Sequence, residues 1–264
     1  MQTQLRQAVV VAFGRTPYCK ARKGSFAQLH PVEYGAQTLL GVLARVPQLR
    51  PEDIGDVIMG CAMPFGVQGG NMARLIVQRA GLPDCVTAQT VNRYCSSGLQ
   101  TIATAANAIR CGEEDVVIAG GVESMSLVPM LVGAEDADPW LAEHRPEVYT
   151  TMGITAENVA RQWGISRADM DAMAVESHRR AAQAQAGGCF DGQIIPITVP
   201  GPDGGEVVVC RDEGIRPGTT AETLAGLKPC FLENGSVTAA TSSQMTDGAG
   251  FVVLMSEEKA AELG

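Results

Sequence analysis

Cys95 sits within the stretch Val91-Asn92-Arg93-Tyr94-Cys95-Ser96-Ser97-Gly98-Leu99-Gln100, where two local patterns meet. Thr87 to Val91 sets β-branched and polar residues in alternation and predicts a strand. From Ser97 to Arg110 the chain turns to Leu, Ile and many Ala, and Cys111-Gly112 closes it, which predicts a helix and its stop. Cys95 then falls on the strand-to-helix turn, at or just before the first helical turn. Unpaired backbone N–H groups and the positive end of the helix dipole favour a thiolate there over a thiol. A thiolate so placed is a nucleophile for a carbonyl carbon, and the same N–H groups can stabilise the oxyanion formed by its attack. The competing reading makes Cys95 a small buried hydrophobe, as free cysteines usually are.

The elements that must position this turn follow from periodicity. Ala8 to Phe13 is an apolar run ended by Gly14-Arg15-Thr16-Pro17 and predicts a buried first strand. Residues 31–46 begin with Pro31 and place Leu39, Val42, Leu43 and Val46 on one face of a helix. Asp56 to Gly60 predicts a second strand. Asn71 to Ala80 predicts a helix with Met72, Leu75 and Ile76 at core spacing. A further strand is expected at Asp115 to Gly120. Strands alternating with helices point to an α/β sheet covered on both faces. Residues 127–150 then show no periodicity, as expected of a functional or flexible insertion. Ser166-Arg167-Ala168-Asp169 forms a capping box for a helix to about Ala186, with Met170, Met173, Ala174, Ser177 and Ala181 inward. Ile194 to Val199 and Glu206 to Cys210 predict a hairpin, Gly250 to Ser256 a final strand, and Glu257 to Leu263 a helix.

Composition sets the outer limits. A chain of 264 residues exceeds one usual core, so one domain with an insertion, or two domains, is expected. Eight cysteines without a CxxC pair suit a reducing cytoplasmic setting better than a disulfide framework. No Cys/His cluster has zinc spacing, so no metal is expected. A net charge of −9 argues against nucleic-acid binding. No apolar run is long enough to span a membrane, and the polar segment Met1 to Gln7 lacks a secretion signal. No GxGxxG follows the first strand, against a dinucleotide-binding fold.

Residues Val91 to Gln100, in their strand–turn–helix context, closely resemble the nucleophile segment of the thiolases, whose cysteine takes up an acyl group from acyl-CoA. Met152-Gly153-Ile154-Thr155-Ala156-Glu157-Asn158, Asp212 to Pro217 and Leu227 to Phe231 resemble landmarks of the thiolase loop domain. Val237 to Ser243, followed by Asp247-Gly248, resembles the segment returning to that family's core. The resemblance implies one half of a three-layer α/β/α core, formed by 1–120 and 236–264, with an inserted α+β loop domain at 121–235. It implies Cys95 as the catalytic nucleophile and Met152, Arg216, Phe231, Ala239 and Ser243 as the coenzyme A site. Physically, Arg216 could pair with a phosphate, Phe231 could pack on adenine or pantetheine, and Ser243 could donate to a pantetheine amide. A solvated arginine, a core phenylalanine, a helix-capping serine and a packing methionine are the alternatives from spacing alone. Thr151 and Ala240-Thr241-Ser242-Ser243 look more like the degradative 3-ketoacyl-CoA thiolases of β-oxidation than like biosynthetic members.

Thiolases also carry a second half with Asn-Glu-Ala-Phe, Gly-His-Pro and Cys-x-Gly-Gly-Gly segments, and none of the three occurs in these 264 residues. The resemblance thus spans the N-terminal half and loop domain, and implies a truncated thiolase that is inactive alone. His30 is read as a surface or capping residue, His144 and His178 as solvated. By the resemblance, Cys95 attacks a 3-ketoacyl-CoA, a histidine of the second half acts as base, and a second cysteine protonates the acetyl-CoA carbanion. No permanently bound cofactor is implied, with coenzyme A a substrate. A homo-oligomer, dimer or tetramer, is implied through the sheet edge near the nucleophile strand, and the face that a second half would cover invites association. A decarboxylating ketoacyl synthase and a non-catalytic CoA- or acyl-binding fragment stay open as alternatives.

Overall fold

Side chains that alternate along three strands turn one sheet into two apolar surfaces. These are β3 (Asp56–Gly60), β5 (Val116–Glu123) and β8 (Thr246–Ser256) in the computed structural model, which describes residues 5–130 and 136–264. Residues 1–4 of the polar amino-terminal segment and 131–135 of the aperiodic stretch lie outside the described residues. Val57, Met59, Val116, Ile118, Val253 and Met255 join one buried cluster, while Ile58, Val117, Ala119 and Leu254 join the other. Helix α1 (Pro31–Leu43) brings Tyr34, Leu39 and Val42 to the first surface, and α2 (Met72–Arg79) brings Met72, Ile76 and Val77. Helix α3 (Ser97–Cys111) covers the second with Ala105 and Ile109. The α/β/α layering expected from the sequence is therefore present.

The sheet runs β1-β8-β5-β3-β4, with β1 spanning Ala8–Arg15 and β4 Thr87–Val91. Strands β3, β4 and β5 run parallel, while β8 runs antiparallel to both β5 and β1. A two-residue strand, β2 (Cys19–Lys20), also pairs with β8. The burial expected for the first strand is corrected here. It lies at the sheet edge with a register shift between Val10 and Ala12, and Val10 and Phe13 are 54% and 55% exposed. An apolar run reads the same whether one face or two are covered. Leu75 is likewise exposed, because the short α2 packs through its Met72–Ile76 ridge.

The hairpin of β6 (Ile197–Pro200) and β7 (Glu206–Val209) forms as expected, but it belongs with the sheet. Ile195, Ile197, Val199 and Val209 enter the first cluster, and Arg15 pairs with Asp212 at 2.7 Å. One compact unit therefore comprises residues 1–129, 192–213 and 245–264, and a second comprises 130–191 and 214–244. These bounds differ from the expected division at 121–235, because the hairpin's apolar side packs onto residues far away in sequence.

The second unit holds α4 (Pro139–His144), α5 (Met152–Trp163), α6 (Arg167–Ala186) and α7 (Ala221–Ala225). Ser166 and Asp169 make the expected capping box. The inner face of α6 departs from expectation. Asp171 and Ala174 are buried, Ser177 is exposed, and Met173 is 63% exposed. Arg167 accounts for the shift, bonding Asp171 at 2.8 Å and the Leu224 carbonyl of α7 at 2.7 Å, so a charged pair takes the inward position.

Glu157 of α5 is also buried, accepting from the Ser236 N–H at 2.9 Å, the Val237 N–H at 2.8 Å and the Ser236 hydroxyl at 3.0 Å. Burial pushes its carboxyl up, but the N–H donors of Val237 and Ser236 outweigh this and hold it below the usual range. A carboxyl depressed by folding stabilises above its unfolded pKa, and that stability is lost as pH falls through the folded value. Glu157→Gln is expected to destabilise the second unit by about 2 kcal/mol at neutral pH. The difference should shrink below about pH 4, which urea melts at two pH values will check.

Candidate active site

Strand β4 ends at Val91 and α3 begins at Ser97, so Cys95 lies in the turn between them, two residues ahead of the first helical residue, and is exposed. The placement read from the sequence holds. The buried-hydrophobe alternative does not. Cys19 and Cys61 fit that description instead, and desolvation pushes the Cys61 thiol up to about 12, with Glu123 adding to the effect. The cap residue Ser96 donates its hydroxyl to the Arg93 carbonyl at 2.9 Å and makes no side-chain bond to the helix start. The Ser96 and Ser97 N–H groups go to the Arg93 and Tyr94 carbonyls at 3.2 and 3.0 Å, and the next two amides of the first turn, of Gly98 and Leu99, have no capping side chain, beside the positive end of the helix dipole.

Glycines let the helix start sit on the sheet. A Cβ at Gly60 of β3 would lie 2.6 Å from the Ser97 carbonyl carbon and 2.7 Å from the Gly98 nitrogen. Gly98 in turn lies over Gly120 and Gly121 of β5, with no side chain between. The Ser97 hydroxyl, almost fully buried, accepts from the Arg93 N–H at 2.8 Å and donates to the Tyr94 carbonyl. Tyr94 itself has φ 47°, in the left-handed region, immediately before the cysteine. Asn92 accepts from the Tyr94 N–H at 2.8 Å and donates to the Ala62 carbonyl at 3.1 Å. Spacing gave no sign of the roles of Asn92 and Gly60, since both depend on which backbone atoms the fold brings near.

The five residues tied by resemblance to coenzyme A all belong to the second unit. Met152 opens α5 and is 63% exposed; Phe231 is 41% exposed and so is not a core residue. The Phe231 ring packs on Gly153, the residue after Met152, where an added Cβ would lie 2.1 Å from the ring. Arg216 is exposed, and its guanidinium has no ion-pair partner among the described residues. Its N–H donates to His178 Nδ1 at 3.2 Å, so His178 is half-buried and engaged, which corrects its reading as solvated. Ala239 and Ser243 are exposed on either side of a turn in which Ser242 donates to the Thr238 carbonyl at 2.8 Å. No helix starts at Ser243, so it is not a helix cap. His30 caps α1, accepting from the Val32 N–H at 3.2 Å, and exposed His144 stacks on Trp140 with centroids 4.6 Å apart. Among the described residues no His/Cys/Asp/Glu group could hold a metal ion, and no helix is long and apolar enough to cross a membrane.

Residues 8–258 match the family model described as the thiolase N-terminal domain. A 3-ketoacyl-CoA thiolase of Bacillus subtilis is 49% identical over 98% of this chain and 68% of its own length. The peroxisomal 3-ketoacyl-CoA thiolase of Homo sapiens is 41% identical over 100% of this chain and 63% of its own. The crystal structure of the Bacillus anthracis acetyl-CoA acetyltransferase superposes with a TM-score of 0.88 at 38% identity, covering 99% of this chain and 68% of that one.

Proposed function

The chain belongs to the thiolase family, and from that premise we propose that it is an acyltransferase acting on 3-ketoacyl-CoA through an acyl-cysteine at Cys95. The single observation that carries this reading is an exposed cysteine on the turn into the uncapped start of α3. The reaction is thiolytic cleavage to acetyl-CoA and a shortened acyl-CoA, or the reverse condensation, with the degradative direction favoured by Thr151 and the Ala240–Ser243 segment.

The Cys95 thiolate attacks the 3-carbonyl carbon, forming a C–S bond and an oxyanion that the free amide groups at the start of α3 face. Collapse breaks the bond between carbons 2 and 3, and the electron pair leaves on the acetyl-CoA fragment. Its proton comes, by the family resemblance, from a second cysteine in the half that these 264 residues do not include, and the incoming CoA thiol returns that proton. Free CoA then attacks the thioester and restores the Cys95 thiolate. Arg216 meets a CoA phosphate, Met152 and Phe231 flank the adenine or pantetheine, and Ala239 and Ser243 line the pantetheine arm. The core at 1–120 and 236–264 and the loop domain at 121–235 remain the proposed functional division. The histidines are engaged elsewhere, so a polypeptide of these 264 residues is expected to acylate slowly without turning over. The unpaired cysteines suit the cytoplasm, and β4, an outer strand of the sheet, is the proposed edge for self-association.

Peptide mass spectrometry after incubation with acetyl-CoA tests the reading. The expected result is an acetyl thioester confined to Cys95. An even spread over the eight cysteines overturns the nucleophile. Robust thiolysis of acetoacetyl-CoA by this polypeptide overturns its expected lack of turnover.

A further inference from the structure

We infer that Asn92 is a positioning residue for Cys95, acting by holding Tyr94 in the left-handed conformation that aims the cysteine into the start of α3; this rests on Cys95 being the nucleophile. Tyr94 and Arg22 are the two non-glycine residues with positive φ among the described residues. A tyrosine does not adopt φ 47° without something to hold it there. Its side chain cannot be the restraint, since Tyr94 is 66% exposed. The restraint comes from the backbone on both sides. The Tyr94 N–H goes to Asn92 Oδ1 at 2.8 Å, an Asx turn, and its carbonyl accepts from the Ser97 N–H at 3.0 Å.

Asn92 is itself tied down, and this distinguishes it from a surface Asx turn. Its Nδ2 donates to the Ala62 carbonyl at 3.1 Å, in the loop that leaves β3 beside β4. That loop is fixed in turn, because the Ala62 N–H donates to Glu123 Oε2 at 2.7 Å, and Glu123 Oε1 accepts from Gln68 Nε2 at 2.8 Å. Gln68 is fully buried. A continuous run of bonds therefore leads from the end of β5, through Glu123, Ala62 and Asn92, to the N–H of Tyr94, the residue immediately before the cysteine. Asn92 supplies the only side chain in that run that touches the nucleophile turn.

The experiment follows iodoacetamide alkylation of Cys95 across pH in the intact protein, with the exposed Cys85, Cys111, Cys189, Cys210 and Cys230 as internal references in the same digest. Asn92→Ala is expected to slow Cys95 about tenfold at neutral pH and move its pH midpoint upward, leaving the reference cysteines unchanged. Asn92→Asp, which keeps the acceptor for Tyr94 N–H and loses the donor to Ala62, is expected to fall between. Adding Tyr94→Gly to Asn92→Ala is expected to restore the rate to within about threefold, since glycine adopts positive φ without strain. A purely structural role would lower the melting temperature without a pH shift confined to Cys95 and without rescue by glycine. A Cys95 that reacts faster than its references, yet identically in wild type, Asn92→Ala and Asn92→Asp, overturns the positioning role alone. A wild-type Cys95 no faster than its references overturns the nucleophile reading and this inference with it.

Discussion

Cys95→Ser is expected to abolish acyl uptake from acetyl-CoA, a loss of at least about a hundredfold, while leaving the fold unchanged. The substitution is nearly isosteric and the position is exposed, so packing loses little. Chemistry loses nearly everything. A thiol gives up its proton far more readily than an alcohol, and its thiolate is intrinsically a strong nucleophile. A serine hydroxyl is far weaker as an acid and needs an adjacent base to become nucleophilic, and the histidines here are held at the α1 cap, on Trp140 and on the Arg216 N–H. Circular dichroism melts coinciding with wild type, together with absence of the acyl adduct, are the expected pair of results. Adduct formation that persists in the serine variant would place the acylated group elsewhere.

Gly60→Ala carries the largest expected effect on stability, about 3 kcal/mol or more. The added methyl would meet the Ser97 carbonyl carbon and Gly98 nitrogen at 2.6 and 2.7 Å, and backbone atoms at a packed helix start cannot swing aside as a long side chain can. Either α3 lifts from β3 or β3 shifts against β4 and β5, and both break contacts across the sheet. Gly98→Ala is the matched control. Its nearest neighbour is the Gly120 carbonyl oxygen at 4.0 Å, so it is expected to be tolerated, helped by alanine's helix propensity. Denaturant unfolding of the two variants side by side checks the contrast. Equal midpoints would mean that the helix start does not approach the strand so closely.

What could be read from residues and what could not divide along physical lines. The turn carrying Cys95 was legible because the sequence period changes across it, from strand to helix, within six residues of chain. The two covered faces of the sheet were legible for a similar reason, since strands alternating with amphipathic helices have few other ways to bury apolar stripes. The exposure of Phe13 was not, because an edge position is a property of strand order rather than of the strand. The hairpin's place with the sheet depends on Arg15 meeting Asp212, almost two hundred residues on, and no local pattern encodes that pairing. The inward Asp171 was hidden by its own charge, which is compatible with burial because Arg167 pairs with it while donating also to the Leu224 carbonyl of α7. Asn92 was visible as a residue but silent as a restraint, since its effect is expressed in the φ of a neighbour.

Strand order has one more consequence, for the birth of the chain. The strand that fills the gap between β1 and β5 is β8, and it is the last strand of the sheet to be synthesised. Until residues 246–256 leave the ribosome, β1 has no strand to pair with and one side of β5 stays open. The sheet must therefore close after translation of its other members, across a very long chain loop, and such long-range pairing makes folding slow. In the meantime the nascent chain exposes bare strand edges, which are the kind of surface that chaperones hold and aggregates recruit.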